Sequence, residues 1–350
     1  MESVILEHPL GDNPPKATLY YGANSLQVLR SLPANSIHMC ATSPPYYCLR
    51  DYETDPVQWK DWTGELGSEP SPEMYVQHLV EIFREVHRVL RADGTLWLNL
   101  GDSYNGSGGA GGDYNKGGIK EGQPRYKGHK IATLKNKDMI GAPWRTALAL
   151  QADGWWLRSD IIWNKPNTMP ESVTDRPSKT HEYVFLLTKS QKYYYDQDAI
   201  REPHTEESLS RVERGRGADH KWVDGPGDQT LNSAENLEHA CHPLGRNKRT
   251  VWTVSPQPYA EAHFATWPEK LVQPMILAGA PRGGTVLDPF SGSGTTGQVA
   301  LREGRNYIGI DVQPNYLPLA KARILGTPVV SEENPVDEDA YPVLDMFREW

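Results

Sequence analysis

The sequence predicts an α/β fold. Apolar runs that read as strands alternate with segments whose apolar residues recur at the helical period. Near the C-terminus a strand, a glycine-rich loop, a helix and a second strand follow one another directly, in "GTVLDPFSGSGTTGQVALREGRNYIGID".

The first unit is a strand "ATLYYG" at 17–22, a helix near 25–32 with Leu26 and Leu29 on one face, and a strand "SIHMCA" at 36–41. That strand runs into "TSPPYY", where two consecutive prolines cannot continue either a central strand or a helix. A helix follows over 72–91. Its apolar positions Tyr75, Leu79, Ile82, Phe83, Val86 and Leu90 keep a period near 3.6, Pro72 opens it, and "ADG" ends it before the strand "TLWLNL". Residues 103–137 are glycine-rich, aperiodic and basic, with seven Lys or Arg against Asp113 and Glu121, and read as a mobile loop suited to a polyanion. A helix near 143–152 and the strands "WWLRSDIIW" and "EYVFLLT" restore regular structure. The stretch from about 190 to 260 is polar and aperiodic, an inserted region or long loops. "TWPEKLVQPMILAGAP" is a helix with Pro268 near its first turn and Pro274 placed to kink it.

Composition narrows the class. A 350-residue chain can bury a sizeable core, and 31 glycines, 28 prolines and 11 tryptophans fit a folded protein with long structured loops. The lack of an apolar span or a signal-peptide pattern predicts a cytoplasmic protein with no membrane partner. Cys40, Cys48 and Cys241 form no C-x-x-C pair, so neither a disulfide frame nor a structural zinc site is expected. His181, Glu182, Asp102 and Asp160 match no metal-ligand spacing and are read as structural, with Asp102 the exception. Trp155, Trp156 and Trp163 are read as packing groups. The formal charge of −9 speaks against a nucleic-acid binder, but the charge is segregated: the tail "SEENPVDEDAYP" is acidic, while the 103–137 loop and "GRNKR" at 245–249 are basic.

Two motifs carry chemistry. In "TVLDPFSGSGTTG" a strand ends at Asp288, Ser291 to Gly294 let a ligand approach bare backbone, helix donors begin near Thr295, and a second strand ends at Asp311 about twenty residues on, placed for ribose hydroxyls. Glycines here also serve as plain tight turns. The pyrophosphate pattern G-x-G-x-x-G is not kept, and Asp288 would repel a diphosphate, so S-adenosyl-L-methionine fits better than a dinucleotide. In Ser43-Pro44-Pro45-Tyr46, a rigid strand end offers the Ser43 hydroxyl and the Pro44 carbonyl as acceptors beside the flat face of Tyr46, which suits a planar base with an exocyclic amino group. Without the glycine motif it reads equally as a rigid loop with a buried tyrosine.

Together "TSPPYY" and "DPFSGSGTT" resemble the catalytic and cofactor signatures of the amino-group DNA methyltransferases, which modify N4 of cytosine or N6 of adenine. Their order resembles the β arrangement of that family, and "GTLWLNLGDSY", "WWLRSDIIWNKPN", "RPSKTHEYVFLLTKS" and "HFATWPEKL" extend the resemblance over roughly 20–325. It implies a Rossmann-like methyltransferase fold, a circularly permuted, mixed and mostly parallel sheet of about seven strands. Residues 17–190 would form the catalytic half, 191–260 an inserted target-recognition region, 261–325 the cofactor half and 326–350 an acidic tail. The resemblance places Asp288, Phe290, Ser291, Gly292, Gly294 and Thr295 at the cofactor, Asp311 on its ribose, and His263, Thr266 and Pro268 over its methionine part. Members often carry Gly-Asp before the first helix; here Ala23 follows Gly22, with Asn24 as the candidate substitute.

The expected activity is transfer of a methyl group from S-adenosyl-L-methionine to N4 of cytosine in double-stranded DNA, with the base flipped out and held by Tyr46; Asp102, leaving a strand at the active edge, is a candidate to contact the base or a nearby loop. Ser43 favours cytosine, since the adenine enzymes of the family more often have Asp there; N6 of adenine is the alternative. Carbon-5 methylation needs a cysteine nucleophile, typically after a proline, and no cysteine stands so. A non-catalytic DNA-binding protein on this fold, or an RNA or protein N-methyltransferase, are further readings. DNA contacts are expected from Lys127, Lys130, Lys165, Arg246, Lys248 and Arg249, a restriction endonuclease is a candidate partner, and no metal is expected.

Overall fold

The computed structural model describes residues 3–7, 14–49, 56–106, 130–168, 171, 173–213, 242–257 and 267–326. Eleven strands fall among them: β1 (Val4–Glu7), β2 (Lys16–Tyr21), β3 (Ile37–Thr42), β4 (Val57–Gln58), β5 (Thr63–Gly64), β6 (Leu90–Leu100), β7 (Trp156–Asn164), β8 (His181–Thr188), β9 (Val251–Thr253), β10 (Thr285–Asp288) and β11 (Asn306–Asp311). The helices are α1 (Ser25–Ser31), α2 (Pro72–Val89), α3 (Ala142–Ala152), α4 (Glu206–Glu213), α5 (Glu269–Gly279), α6 (Thr295–Arg302) and α7 (Leu317–Leu325).

Nine strands form one sheet in the order β1-β2-β11-β10-β3-β6-β8-β7-β9, while β4 and β5 pair separately. From β2 through β6 every pairing is parallel; β8 runs against both its neighbours, so β7 points the same way as β6. The central seven strands are thus the mixed, mostly parallel sheet the sequence implies. The two additional strands are edges. β1 pairs antiparallel with β2, and β9, from the polar stretch before residue 260, pairs parallel with β7. Both are too short to stand out from their polar flanks.

The sheet carries a core on each face, and the alternation of strand side chains produces it. Ile37 and Cys40 of β3, Leu96 and Leu98 of β6 and Leu287 of β10 pack with α1, α2 and α3. Met39 and Ala41, Trp97 and Val286 turn to the other face, against α5, α6 and α7. The α2 helix shows why the sequence forms it. Ser71 caps it by accepting from the Met74 amide, Pro72 needs no partner for its missing N–H, and Tyr75, Leu79, Phe83 and Val86 are wholly buried. Each such side chain contributes on the order of 1.5–3 kcal/mol, so Phe83→Ala would cost about 3–5 kcal/mol.

The parallel arrangement gathers the carboxyl ends of β2, β11, β10, β3 and β6 at one edge. Both motifs leave strands there.

Candidate active site

At this edge lies a cavity of about 300 Å³, bounded on one side by Phe290, Ser291 and Gly292, on the other by Ser43 and Tyr46. No helix among the described residues is long and apolar enough to cross a membrane, and no group of three His, Cys, Asp or Glu among them is placed to hold a metal.

The glycine-loop side is built by hydrogen bonds from below. The Ser291 hydroxyl lies 2.8 Å from the hydroxyls of Tyr21 and Tyr307, and Tyr21 donates to the Gly292 carbonyl at 2.8 Å. Asp311, 9 % exposed, accepts from the amides of Gly292 (2.7 Å) and Gln313 (2.9 Å) and still faces the cavity. Burial pushes its carboxyl up to about 6, although both amide donors favour the ionised form.

Asp288 has a different place from the one expected. Its carboxylate sits behind the cavity wall, 2 % exposed, and accepts from the Thr42 hydroxyl (2.6 Å), the Thr296 hydroxyl (2.7 Å) and the Phe290 amide (3.0 Å). Burial holds its carboxyl at about 6. Gly294 also serves packing rather than the cavity wall: it starts α6 at φ 81°, with Ala320 of α7 only 3.2 Å from where a Cβ would stand. Pro268 is buried at the N-terminus of α5, and its neighbour Trp267 lines the cavity instead. Phe290, Ser291, Gly292, Thr295 and Asp311 do line it.

The opposite wall is the Ser-Pro-Pro-Tyr loop. The Tyr75 hydroxyl of α2 donates to the Pro45 carbonyl at 2.8 Å, and the Cys48 amide donates to the Gly67 carbonyl at 2.8 Å, so the loop is braced from below. Ser43 Oγ donates to Asn99 Oδ1 at 3.2 Å. Tyr46 Oη is 2.8 Å from the same oxygen and 2.6 Å from Glu182 Oε2. A tyrosine has one proton, and the nearer, charged carboxylate is the stronger acceptor. The Asn99 oxygen is thereby left to Ser43, and a serine that donates backwards keeps its own lone pairs for a ligand. The Tyr46 ring lies against Gly101, where a Cβ would stand 2.6 Å from Cε2.

One side chain of this wall, Asn99, escaped the sequence reading, while Glu182 was expected only as structural and Lys165 only as a DNA contact. Asn99 is 1 % exposed at the carboxyl end of β6, and its amide group donates to Glu182 (3.2 Å) and to the Tyr183 carbonyl (3.0 Å). Glu182 also pairs with Lys165, whose ammonium stands 4.1 Å from the centre of the Trp163 ring. The available signal was a polar residue inside the apolar run "TLWLNL"; nothing local tied it to Glu182. Trp163, expected as packing, lines the cavity as well. Asp102 caps α3 through the amides of Gly141 (3.0 Å) and Ala142 (3.2 Å), taking the nearby-loop option rather than the base.

The expected DNA contacts divide. Lys165 is inside the cavity wall, Lys130 and Arg249 are exposed, and Arg246 and Lys248 pair with Glu202 at 3.4 and 3.2 Å beside a groove along β9. Lys127, His263 and Thr266 lie outside the described residues.

The sequence profile of the DNA methylase family, covering N6 and N4 enzymes, matches residues 37–322. The chain belongs to the DNA methylase family. Among similar proteins, the Type II methyltransferase M.Cfr9I of Citrobacter freundii is 45% identical over 313 residues, 89% of this chain and 88% of the relative. M.SmaI of Serratia marcescens, also a Type II methyltransferase, is 41% identical over 302 residues, covering 85% and 88%. This methylase is accordingly a Type II DNA methyltransferase. Its fold is similar to that of PvuII DNA methyltransferase (cytosine-N4-specific), with a TM-score of 0.58 at 19% identity over 92% of each chain. It also resembles a protein of Thermus thermophilus described as a DNA modification methylase and solved with S-adenosyl-L-methionine, with a TM-score of 0.51 at 21% identity, over 87% and 94%.

The cavity of this methylase fits such a donor chemically. Asp311 presents a carboxylate for a diol, Phe290 an apolar face, and the space above Gly292 is open, with nothing within 4 Å of a Cβ there. Asn24 lines the same cavity, but its side-chain oxygen is committed to the amides of Leu26 (2.9 Å) and Gln27 (3.2 Å), leaving only its NH2 for a ligand.

Proposed function

We propose that this methylase transfers a methyl group from S-adenosyl-L-methionine to N4 of a cytosine flipped out of double-stranded DNA. The observation that carries the amino-group part of the reading is the direction of the Ser43 hydrogen bond. Donation to Asn99 leaves Ser43 Oγ an acceptor, beside the Pro44 carbonyl, for the two hydrogens of an exocyclic amine.

The bound donor supplies a methyl group on a sulfonium, which leaves as a neutral thioether. Asp311 holds the ribose hydroxyls, and Phe290 gives the apolar contact. An amino nitrogen on a pyrimidine is a weak nucleophile because its lone pair is delocalised into the ring. Ser43 Oγ and the Pro44 carbonyl draw both hydrogens out of the ring's conjugation, which localises the pair for in-line attack. Tyr46, fixed by its hydroxyl and by Gly101, stacks on the base and keeps water from that face. The methylated nitrogen then carries one proton too many and sheds it from the Ser43 side to water, without a strong base.

Serine rather than aspartate at the first motif position supports cytosine over adenine. As a Type II methyltransferase the protein is expected to protect DNA against an endonuclease of the same specificity. The test is to methylate unmodified genomic DNA with the purified protein, digest it to nucleosides and identify the product by mass. N4-methylcytosine is expected; N6-methyladenine or 5-methylcytosine would overturn the reading.

A further inference from the structure

We infer that Lys165 is a base-recognition residue that donates a hydrogen bond to N3 of the flipped cytosine. The inference rests on the proposed cytosine reading and extends it to a residue for which the sequence pattern suggested only a contact to DNA at large.

Four observations support it. Lys165 immediately follows β7 and lines the same cavity as Ser43 and Tyr46. Its side chain is 18 % exposed, too enclosed for the solvated backbone contact expected of a surface lysine. Its ammonium is held from two sides, by Glu182 Oε1 and by the Trp163 ring at 4.1 Å, and has no other hydrogen-bond partner among the described residues. An ammonium has three donors, so this arrangement leaves one for a ligand. Finally, the other oxygen of Glu182 is 2.6 Å from the Tyr46 hydroxyl, which in turn is 3.3 Å from Ser43 Oγ. One carboxylate therefore ties the spare donor to the groups that would grip the amine.

Base chemistry supplies the complement. The ring atom next to the carbon that bears the amino group of cytosine is N3, an acceptor. When the base leaves the duplex it loses the donor that guanine gave N3, and a buried acceptor without a partner is costly. Lys165 replaces that donor. Its pairing with Glu182 makes it a directed donor rather than an uncompensated charge.

A chemical double-mutant cycle tests the inference. Two duplexes carry the recognition site read from methylated genomic DNA, one with cytosine at the target and one with 3-deazacytosine, which keeps the amino group but has C–H in place of N3. Affinities are measured with S-adenosyl-L-homocysteine bound, for wild type, Lys165→Met and Lys165→Arg, at several salt concentrations. The analogue also lacks the hydrogen bond to guanine, which eases its flipping in every variant alike, so the cytosine to 3-deazacytosine affinity ratio is compared between variants: Lys165→Met should shift it by about tenfold toward 3-deazacytosine, and Lys165→Arg by less. Unchanged S-adenosyl-L-homocysteine affinity in Lys165→Met shows that the variant is folded. If Lys165→Met weakens both duplexes equally while the slope of log affinity against log salt falls by about one, Lys165 is a phosphate contact and the inference is wrong. A ratio in Lys165→Met equal to that of wild type overturns it as well. Failure of the cytosine reading is seen separately, as N6-methyladenine made by the wild type on the same site.

Discussion

The Thr42 hydroxyl donates a 2.6 Å hydrogen bond to the carboxylate of Asp288, 246 positions away in the chain. Thr42 ends the strand that carries the Ser-Pro-Pro-Tyr loop, and Asp288 ends the strand that carries the glycine loop. The bond joins two neighbouring parallel strands at the point where each delivers its motif. Whatever sets the distance between the two loops, and with it the approach of a methyl acceptor to a methyl donor, includes this contact.

Thr42→Val keeps the shape and removes the donor. A lost hydrogen bond to a buried carboxylate costs about 1.5–3 kcal/mol, so the variant should unfold at lower denaturant, whereas Thr42→Ser should stay close to wild type. The pH dependence has a definite sign. The folded carboxyls of Asp288 and Asp311, at about 6, lie above the unfolded value of roughly 3.9. The folded protein therefore binds these protons more tightly; the ionised forms lower stability at neutral pH, and that cost fades as pH falls through about 6. Removing a donor that favours the ionised form raises the Asp288 value further, so the Thr42→Val penalty should be larger at pH 7.5 than at pH 5.

Tyr46 combines a flat ring with an anchoring hydroxyl, and substitutions separate them. Tyr46→Phe keeps the ring but frees it from Glu182, which should lower kcat by roughly ten- to hundredfold, the equivalent of one charge-assisted hydrogen bond. Tyr46→Ala also removes stacking worth about 1–3 kcal/mol, and should further weaken binding of target DNA. Both variants should bind S-adenosyl-L-homocysteine as wild type does, which titration calorimetry can check.

Gly101→Ala acts on the same ring from behind. A methyl group 2.6 Å from Tyr46 Cε2 cannot be accommodated without moving the ring or the strand end. Turnover should fall by at least tenfold with donor affinity intact; wild-type turnover would mean that the ring position does not matter.

His78 offers a second pH-dependent feature, separate from the aspartates. Its ring is 2 % exposed, stacked at 4.2 Å on Trp59, and its nitrogens meet Glu69 (2.9 Å) and Asp61 (3.1 Å). Burial alone would lower its pKa, but the two carboxylates outweigh burial and raise it. A raised folded value stabilises fully below the unfolded value near 6.5, and the contribution is lost as pH rises through the folded one. Chemical unfolding should therefore show stability declining above pH 6.5 in the wild type and a flatter profile in His78→Gln. Trp59 and Leu66 of this region line the cavity, so DNA affinity should weaken over the same range.

Much of this site is legible in the sequence because its two motifs are local. Ser43 to Tyr46 and Phe290 to Thr295 each depend on a strand end and a turn, and those leave a pattern over a few residues. Asn99, Glu182 and Lys165 depend on β6, β8 and β7 lying side by side, a pairing that adjacent residues do not encode. Asp288 was misplaced for a related reason. A carboxylate at a strand end beside a glycine loop has the pattern of a ligand group, and only the folded neighbours, Thr42 on the adjacent strand and Thr296 in the following helix, reveal that it is already used. The short edges β1 and β9 were invisible because too few residues alternate in them.

Photocrosslinking from the target base can place it in the cavity. A duplex carrying 5-iodocytosine at the methylated position keeps the amino group and N3, and on irradiation its C5 radical couples to an aromatic ring stacked upon it. Peptide mapping of the crosslinked protein, with S-adenosyl-L-homocysteine bound, should find the adduct on Tyr46 and lose it in Tyr46→Ala. An adduct on the basic segment at 245–249, or no adduct in a complex that still binds the site, would contradict a flipped cytosine held between Ser43 and Tyr46.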